Sequence, residues 1–305
     1  MMEHGTHRPR PLIYGEVLFD CFPDGQEVMG GAPFNVAWHL QGFGAAPLFI
    51  SRVGDDAQGA RVRDAMRNWH MDERGIQLDP DHPTGRVEIG LSETGHSFSI
   101  LPDQAYDYIA TGDALAAQAA LGASPALLYH GSLIARGPVS HATLAALRAA
   151  SQAPSFIDIN LRAPWWAAEQ IEALLPEAHW LKLNDEELTS LRGPTSSVAA
   201  AEAQAEQLRT ASGIAWVILT RGAAGASFIG DALHRGEAPR IQHLVDSIGA
   251  GDAFSAVTIL GLLHDWPMEL TLERALAFAA RICEQRGATA PDRALYTALR
   301  RDWQL

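Results

Sequence analysis

The sequence predicts an α/β fold: a mostly parallel central sheet between two layers of helices, with a small β-sheet set apart from it. Three observations carry that expectation. From residue 112 on, short apolar runs alternate with helical patterns, and the runs at Ala126 to His130, Ser155 to Asn160, His179 to Leu183 and Ala215 to Thr220 have strand length. Such alternation implies right-handed crossovers and parallel pairing. Two alternating segments, Thr84 to Leu91 and His96 to Leu101, break that rhythm and read as a hairpin with one wet face, turning at Glu93-Thr94-Gly95. Finally, 305 residues, 47% of them hydrophobic, suffice for one large domain with a small appendage.

In chain order, Pro11 to Phe19 reads as a first strand ending at Asp20. An acidic residue there is either a turn residue or a ligand contact of an open α/β sheet. Gly30 and Gly31 lead into Ala32-Pro33-Phe34-Asn35, the start of a helix with proline in its first turn. The glycine pair allows close backbone approach to a small ligand, and Asn35 offers a donor and acceptors suited to sugar hydroxyls. A tight strand–helix connection is the alternative. Pro47 to Val53 reads as a second strand and Ala57 to Trp69 as an amphipathic helix. The hairpin at 84–101 could act as a lid over Asp20 and Asn35, with Phe98 a candidate for packing on a sugar and plain packing within the lid as the alternative.

Further on, helices are expected over Pro138 to Ala150 and Ala167 to Leu175, and two more between Asp185 and Thr210. The Ala-rich pieces near 114–121 and 197–205 are good helix formers. Three strand ends carry polar clusters: Asp158-Ile159-Asn160-Leu161-Arg162, Lys182-Leu183-Asn184-Asp185-Glu186-Glu187, and Thr220-Arg221-Gly222-Ala223-Ala224-Gly225. These ends fall on one edge of a parallel sheet, where such folds bind ligands. Arg162 could grip phosphate bidentately. Asn184 and Glu187 could hold a hydrated Mg2+, or serve as a capping box. The glycines after Thr220 could let a nucleotide lie against the backbone.

Asp246-Ser247-Ile248-Gly249-Ala250-Gly251-Asp252 precedes an apolar helical run. Small residues at a helix start expose N–H groups and the positive dipole end, an anion site suited to phosphate. Asp252, ionised at neutral pH, could take a proton there. A base beside a phosphate cradle is what deprotonates a hydroxyl attacking a γ-phosphate. The alternative is an ordinary loop capped by Asp252.

Composition excludes other classes. The net charge is −13 with no Lys/Arg cluster, which argues against nucleic acid or an anionic membrane as partner. Cys21 and Cys283 cannot build a disulfide framework. No run is long enough for a membrane span, and Met1 to Arg10 is a polar tail without the apolar centre of a signal peptide, so a cytoplasmic protein is expected. The twelve histidines show no paired metal spacing. No Walker GxxxxGK[ST] is present, and no GxGxxG follows the first strand; Gly42-Phe43-Gly44 comes after a helix.

Together these residues resemble the ribokinase-like (pfkB) family of carbohydrate kinases, from Gly15 to Pro291. Gly30 to Ala37 is similar to the family's first signature and Asp246 to Phe254 to its second, with Ser247 where the family usually has threonine. Within the family the chain looks most like fructokinases, through Gly15, Glu16 and Asp20, through Gly30 to Pro33, and through Asp158 to Trp165. The resemblance implies a three-layer α/β/α sandwich over 11–305, a small lid from segments near 12–33 and 84–110, and a flexible tail at 1–10. It implies Asp252 as base, with Gly249, Ala250, Gly251 and Arg162 stabilising charge. Asp20, Gly30, Gly31, Asn35 and Phe98 would bind the sugar together with Asp252. Asn184, Thr220, Gly222, Gly225, Gly249 and Gly251 would bind ATP. Asn184 and Glu187 would hold Mg2+ through water, while Asp246 and Ile248 would form part of a K+ site. The implied reaction is transfer of the γ-phosphate to D-fructose, giving fructose 6-phosphate, with a homodimer through the lid. Ribose, 2-keto-3-deoxygluconate or a nucleoside are alternative acceptors, and a non-catalytic sugar- or nucleotide-binding regulator is an alternative role.

Overall fold

The computed structural model describes the backbone of residues 10–92 and 95–305, and side chains over that span except at 91–98. The chain opens with β1 (Leu12–Tyr14), turns out through Gly15 into β2 (Leu18–Cys21) and returns along β3 (Glu27–Gly30). Next come α1 (Ala32–Gly42), β4 (Leu48–Gly54), α2 (Ala57–Asn68), β5 (Ile76–Asp79), β6 (Gly85–Ser92) and β7 (Gly95–Ile100). There follow α3 (Thr111–Ala119), β8 (Leu128–Gly131), α4 (Pro138–Ser151), β9 (Ser155–Asp158), α5 (Ala168–Leu174), β10 (Trp180–Asn184), α6 (Asp185–Arg192), α7 (Val198–Ser212) and β11 (Trp216–Thr220). The strands β12 (Ala226–Ile229) and β13 (Leu233–Gly236) precede α8 (Ala250–Leu263), α9 (Met268–Cys283) and α10 (Arg293–Trp303).

Local chemistry starts several helices. Asp56 accepts from the Gly59 N–H and caps α2, and Ser197 caps α7 in the same way. Asn184 and Glu187 close a reciprocal capping box on α6.

Nine strands form the large sheet in the order β13-β12-β11-β10-β9-β8-β1-β4-β5. All pair in parallel except β11 with β12 and β12 with β13. Side chains alternate across it. Ile13, Phe49, Tyr129 and Phe156 face α1, α2, α8, α9 and α10. On the other face, Leu12, Tyr14 and Leu128 pack on α3 and α4, while Ile157, Leu181 and Leu219 pack on α5, α6 and α7. The three layers expected from the sequence are present. No helix among the described residues is long and apolar enough to cross a membrane.

The second sheet has four strands in the order β3-β2-β6-β7, with β2 parallel to β6. The single strand expected over Pro11 to Phe19 is two. The chain leaves the large sheet after Tyr14, and only β2 joins the small one. The small sheet's first segment, expected near 12–33, therefore begins at Leu18, and its second, expected near 84–110, ends its pairing at Ile100. The switch occurs at Gly15, whose backbone passes Pro33 so closely that a methyl group would fall 2.5 Å from its Cγ. Strands β3, β5, β12 and β13 are absent from the sequence expectation. Residues 1–9 of the expected tail lie outside the described residues.

Candidate active site

The C-terminal ends of the parallel strands meet at one edge of the large sheet. There lie Glu16 just past β1, Gly131 on β8, Asp158 with the segment to Arg162 after β9, Asn184 on β10 and Thr220 on β11. The start of α8 faces this edge.

Gly249 is the N-cap of α8, with φ 80°. Two constraints demand glycine there: the left-handed conformation, and Ala288, whose Cβ would stand 2.3 Å from an added methyl. In the first turn of α8 the Ala250 N–H donates to the Ser247 carbonyl at 3.3 Å, whereas the N–H groups of Gly251 and Asp252 have no intrahelical acceptor and stand at the positive dipole end. Gly251 is exposed, and the Lys182 Nζ lies 3.5 Å from where its Cβ would be.

Asp252, in that first turn, is half-buried. It accepts a hydrogen bond from the Asn35 Nδ2 at 2.8 Å. Burial raises its pKa to about 6; the Asn35 hydrogen bond, Lys182 and Arg162 oppose the rise, and Asp158 adds to it. Asn35 sits in the first turn of α1, placed by Gly31, whose α-carbon passes so close to Glu16 that a methyl would be 2.7 Å from its carbonyl oxygen. Gly31 is thus required by packing within the protein itself.

Asp20 lies on β2 with Gly30 near it, 3.7 Å separating the Asp20 Oδ2 from the Gly30 Cβ position. Burial pushes Asp20 up to about 6, helped by Asp246 and opposed by Arg162. Arg162 is exposed, with its guanidinium 3.4 Å from the Leu161 carbonyl. Its charge lowers the pKa of Glu16, Asp20, Asp252 and Glu187, so it stands central to the carboxylates. Phe98 is on β7, but its side chain falls outside the described residues.

The remaining sequence candidates divide. Asn184 and Thr220 are register partners at the ends of β10 and β11. Glu187 spends its carboxylate on the capping box: Oε2 accepts from the Asn184 N–H at 2.9 Å, and Oε1 stands 3.4 Å from the Leu161 N–H. Only an outer contact through water fits a metal there, and among the described residues no group of three or more His, Cys, Asp or Glu could hold one. Asp246 accepts from the N–H of Ile248 at 2.9 Å and from that of Gly287 at 3.3 Å. Gly222 and Gly225 belong to a turn closed on itself by the Arg221 and Gly225 backbone. Gly222 has open space around it, whereas Gly225 is pressed against the Gly236 carbonyl.

Several polar groups at this edge have bonds that the sequence did not assign, although Asp158, Asn160 and Lys182 stand in its strand-end clusters and Glu16 in the stretch that resembles fructokinases. Asp158 and Lys182 form a buried ion pair, with Nζ at 2.8 and 2.9 Å from the two carboxylate oxygens. Tyr129 donates to Asp158 at 3.1 Å, and the Ser255 hydroxyl lies 2.8 Å from its Oδ2. Glu16 is 3% exposed, and burial lifts its pKa to about 7. Glu16 Oε2, Asn35 Oδ1, Tyr106 OH, Arg136 Nη1 and Asn160 Oδ1 are buried without a protein partner. Arg136 also pairs with Asp107 at 2.6 Å and lies over the Tyr106 ring. A lysine between Leu181 and Leu183, in a strand with no wet face, is the signal in the sequence that marks this layer.

Known proteins show the family that the motifs resemble. The profile of the pfkB family carbohydrate kinases matches residues 21–295. A fructokinase of Klebsiella pneumoniae is 29% identical over 296 residues, spanning 91% of this chain and 92% of its own. Fructokinase-2 of Oryza sativa subsp. japonica is 27% identical over 307 residues, spanning 92% and 89%. Among solved structures, fructokinase of Xylella fastidiosa with bound ATP superposes with a TM-score of 0.81 at 23% identity, over 98% of this chain and 100% of that one. Fructokinase of Vibrio cholerae O395, in its fructose-, ADP- and calcium-bound form, gives 0.77 at 24% identity, over 95% and 98%.

Proposed function

The chain belongs to the pfkB family of carbohydrate kinases, and we propose that it transfers the γ-phosphate of ATP to the primary hydroxyl of D-fructose, yielding fructose 6-phosphate. The observation that carries this reading is Asp252: a carboxylate held by Asn35, directly after the turn Gly249-Ala250-Gly251 at the start of α8. In the proposed step Asp252 takes the proton of the attacking hydroxyl. Backbone N–H groups at 249–251 and the Arg162 guanidinium carry the charge developing on the transferred phosphoryl group. Asp20, Gly30, Gly31 and Asn35 hold the sugar, with Phe98 against it. Asn184, Thr220, Gly222 and Gly225 hold the nucleotide.

Mg2+ would arrive with ATP and neutralise phosphate charge, steadied by Asn184 and Glu187 through water. K+ would sit beside Asp246 and Ile248. The small sheet would close on the sugar and exclude water. Association of two chains through that sheet is also part of the proposal.

A neutral acceptor suits this edge better than a sugar acid. Glu16, Asp20 and Asp252 already crowd it with carboxyls whose ionisation burial opposes. Of the buried cations at this edge, Lys182 is paired with Asp158, and Arg136 gives Nε and Nη2 to Asp107, which leaves only its Nη1 without a protein partner.

The test is ADP release from Mg-ATP across a panel of sugars, sugar acids and nucleosides, with a no-acceptor control. Turnover with fructose above all others is the expected result. Turnover confined to another acceptor replaces the substrate, and a folded, ATP-binding protein inert towards the whole panel overturns the kinase reading.

A further inference from the structure

We propose that Lys182 and Asp158 are positioning residues for the phosphoryl transfer: their buried pair seats the first turn of α8 and balances the charge beside Asp252. The inference rests on the reading of Asp252 as the base.

The two residues are register partners on adjacent parallel strands, β10 and β9. Both are buried, Asp158 completely and Lys182 to 6% exposure. A buried ion pair is poor value for stability alone, because desolvation offsets its attraction. What the pair touches is more telling. The Ser255 hydroxyl lies 2.8 Å from the Asp158 Oδ2 and 3.0 Å from the Gly251 carbonyl oxygen. The Lys182 ammonium reaches the other side of the same glycine, 3.5 Å from its Cβ position. Lys182 thus flanks Gly251, the residue before Asp252 in the turn proposed to face the phosphate, and Asp158 reaches that turn through Ser255, whose one hydroxyl proton goes to either the carboxylate or the Gly251 carbonyl. Tyr129, donating from β8, holds Asp158 from a third strand.

The charges around Asp252 come from every neighbouring element. Asn35 faces it from α1, Glu16 from the crossing after β1, Asp158 from β9, Arg162 from the segment after β9, and Lys182 from β10, with Tyr129 of β8 close enough to feel its charge. Lys182 and Arg162 favour the ionised base, whereas Asp158 and Glu16 oppose it. Without the ammonium, Asp158 and Asp252 would be two carboxylates in one buried layer with no cation between the strands and the helix.

This makes the two single variants opposite in sign. Lys182→Met strips the favourable charge and should move the acid limb of kcat/KM upwards by about one pH unit, the size expected for one nearby charge. Asp158→Asn strips the opposing charge and should move it downwards. A role limited to folding gives no such opposition. The apolar pair Asp158→Leu/Lys182→Met leaves no uncompensated buried charge. It should fold, keep the limb near the wild-type position and hold sugar KM within about twofold. Its kcat should fall roughly ten- to hundredfold, because the turn has lost its seat.

Singles that shift the limb in the same direction, or not at all, overturn the inference. If a single variant does not fold, the double decides, and kcat within about twofold of wild type then overturns it. Asp252→Asn is run alongside. If that variant keeps a tenth of turnover, the base reading fails and takes this inference with it. If Asp252→Asn is inactive while the limbs stay unmoved, the failure lies with the pair alone.

Discussion

The Asn35 Nδ2 donates to the Asp252 Oδ2 across 2.8 Å, joining residues 217 positions apart in the sequence. The bond ties the first turn of α1 to the first turn of α8. It fixes one oxygen of the carboxylate and leaves the other to receive a proton. The amide also favours the ionised base against the burial that opposes it.

Replacing the base itself separates chemistry from binding. Asp252→Asn preserves shape and the contact with Asn35, so folding and sugar affinity should be retained. Turnover should fall by roughly 10²–10⁴, the worth of a positioned general base. Steady-state kinetics with sugar binding by calorimetry checks this, and a variant holding a tenth of wild-type kcat removes Asp252 from that role.

The pH profile follows from the same residue. Only ionised Asp252 accepts a proton, and its pKa of about 6 lies above the ordinary 3.8. Activity should therefore be complete above neutral pH and fall on the acid side of about pH 6. Asn35→Ala removes a hydrogen bond that lowers the pKa, so its acid limb should move to higher pH, with kcat reduced roughly tenfold by the freed carboxylate. A limb that stays in place in Asn35→Ala shows that another group titrates.

Gly249 and Gly251, two positions apart, behave differently as alanines. Gly249→Ala combines φ 80° with a contact of 2.3 Å to the Ala288 Cβ, so it should lose about 1–3 kcal/mol of stability and activity with it. Gly251→Ala meets only the Lys182 Nζ, at an ordinary 3.5 Å, and should be stable to within about 0.5 kcal/mol. Loss of kcat/KM for ATP in Gly251→Ala at unchanged melting temperature then reports a phosphate against that backbone. Unchanged kinetics place the phosphate elsewhere.

How much of this was legible in the sequence depended on contiguity. Strands β8, β9, β10 and β11 are apolar runs bounded by turns, and each is found where its run lies. The break between β1 and β2 is hidden inside one apolar run, because a change of sheet at Gly15 leaves hydrophobicity untouched. Strands β3 and β13 are short and partly exposed, and β12 is buried but only four residues long, so their pairing with neighbours, more than their own pattern, makes them strands. Asn35 and Asp252 stand in compact motifs and were readable. Asp158, Lys182 and Ser255 were not readable as a unit, since they come from two strands and a helix and lie 24 and 97 positions apart. Glu187 shows the converse: its spacing fits metal binding and capping alike, and the structure displays the capping bonds.

Glu16 ties stability to pH with a definite sign. Its carboxyl is buried, one oxygen lacks a partner, and burial lifts its pKa from 4.5 to about 7. The folded state therefore holds this proton more tightly than the unfolded chain. Its contribution to stability is fully present below pH 4.5 and is lost as pH rises through 7. Glu16→Gln cannot ionise and escapes that loss. Any packing penalty of the amide is the same at every pH, because the amide does not titrate. The difference in unfolding free energy, variant minus wild type, should thus move in the variant's favour by roughly 3 kcal/mol between pH 4 and pH 8. Urea unfolding at the two pH values measures it. A difference that stays constant across that range shows that Glu16 carries its charge in the fold, with a partner among the ligands or waters of the cleft.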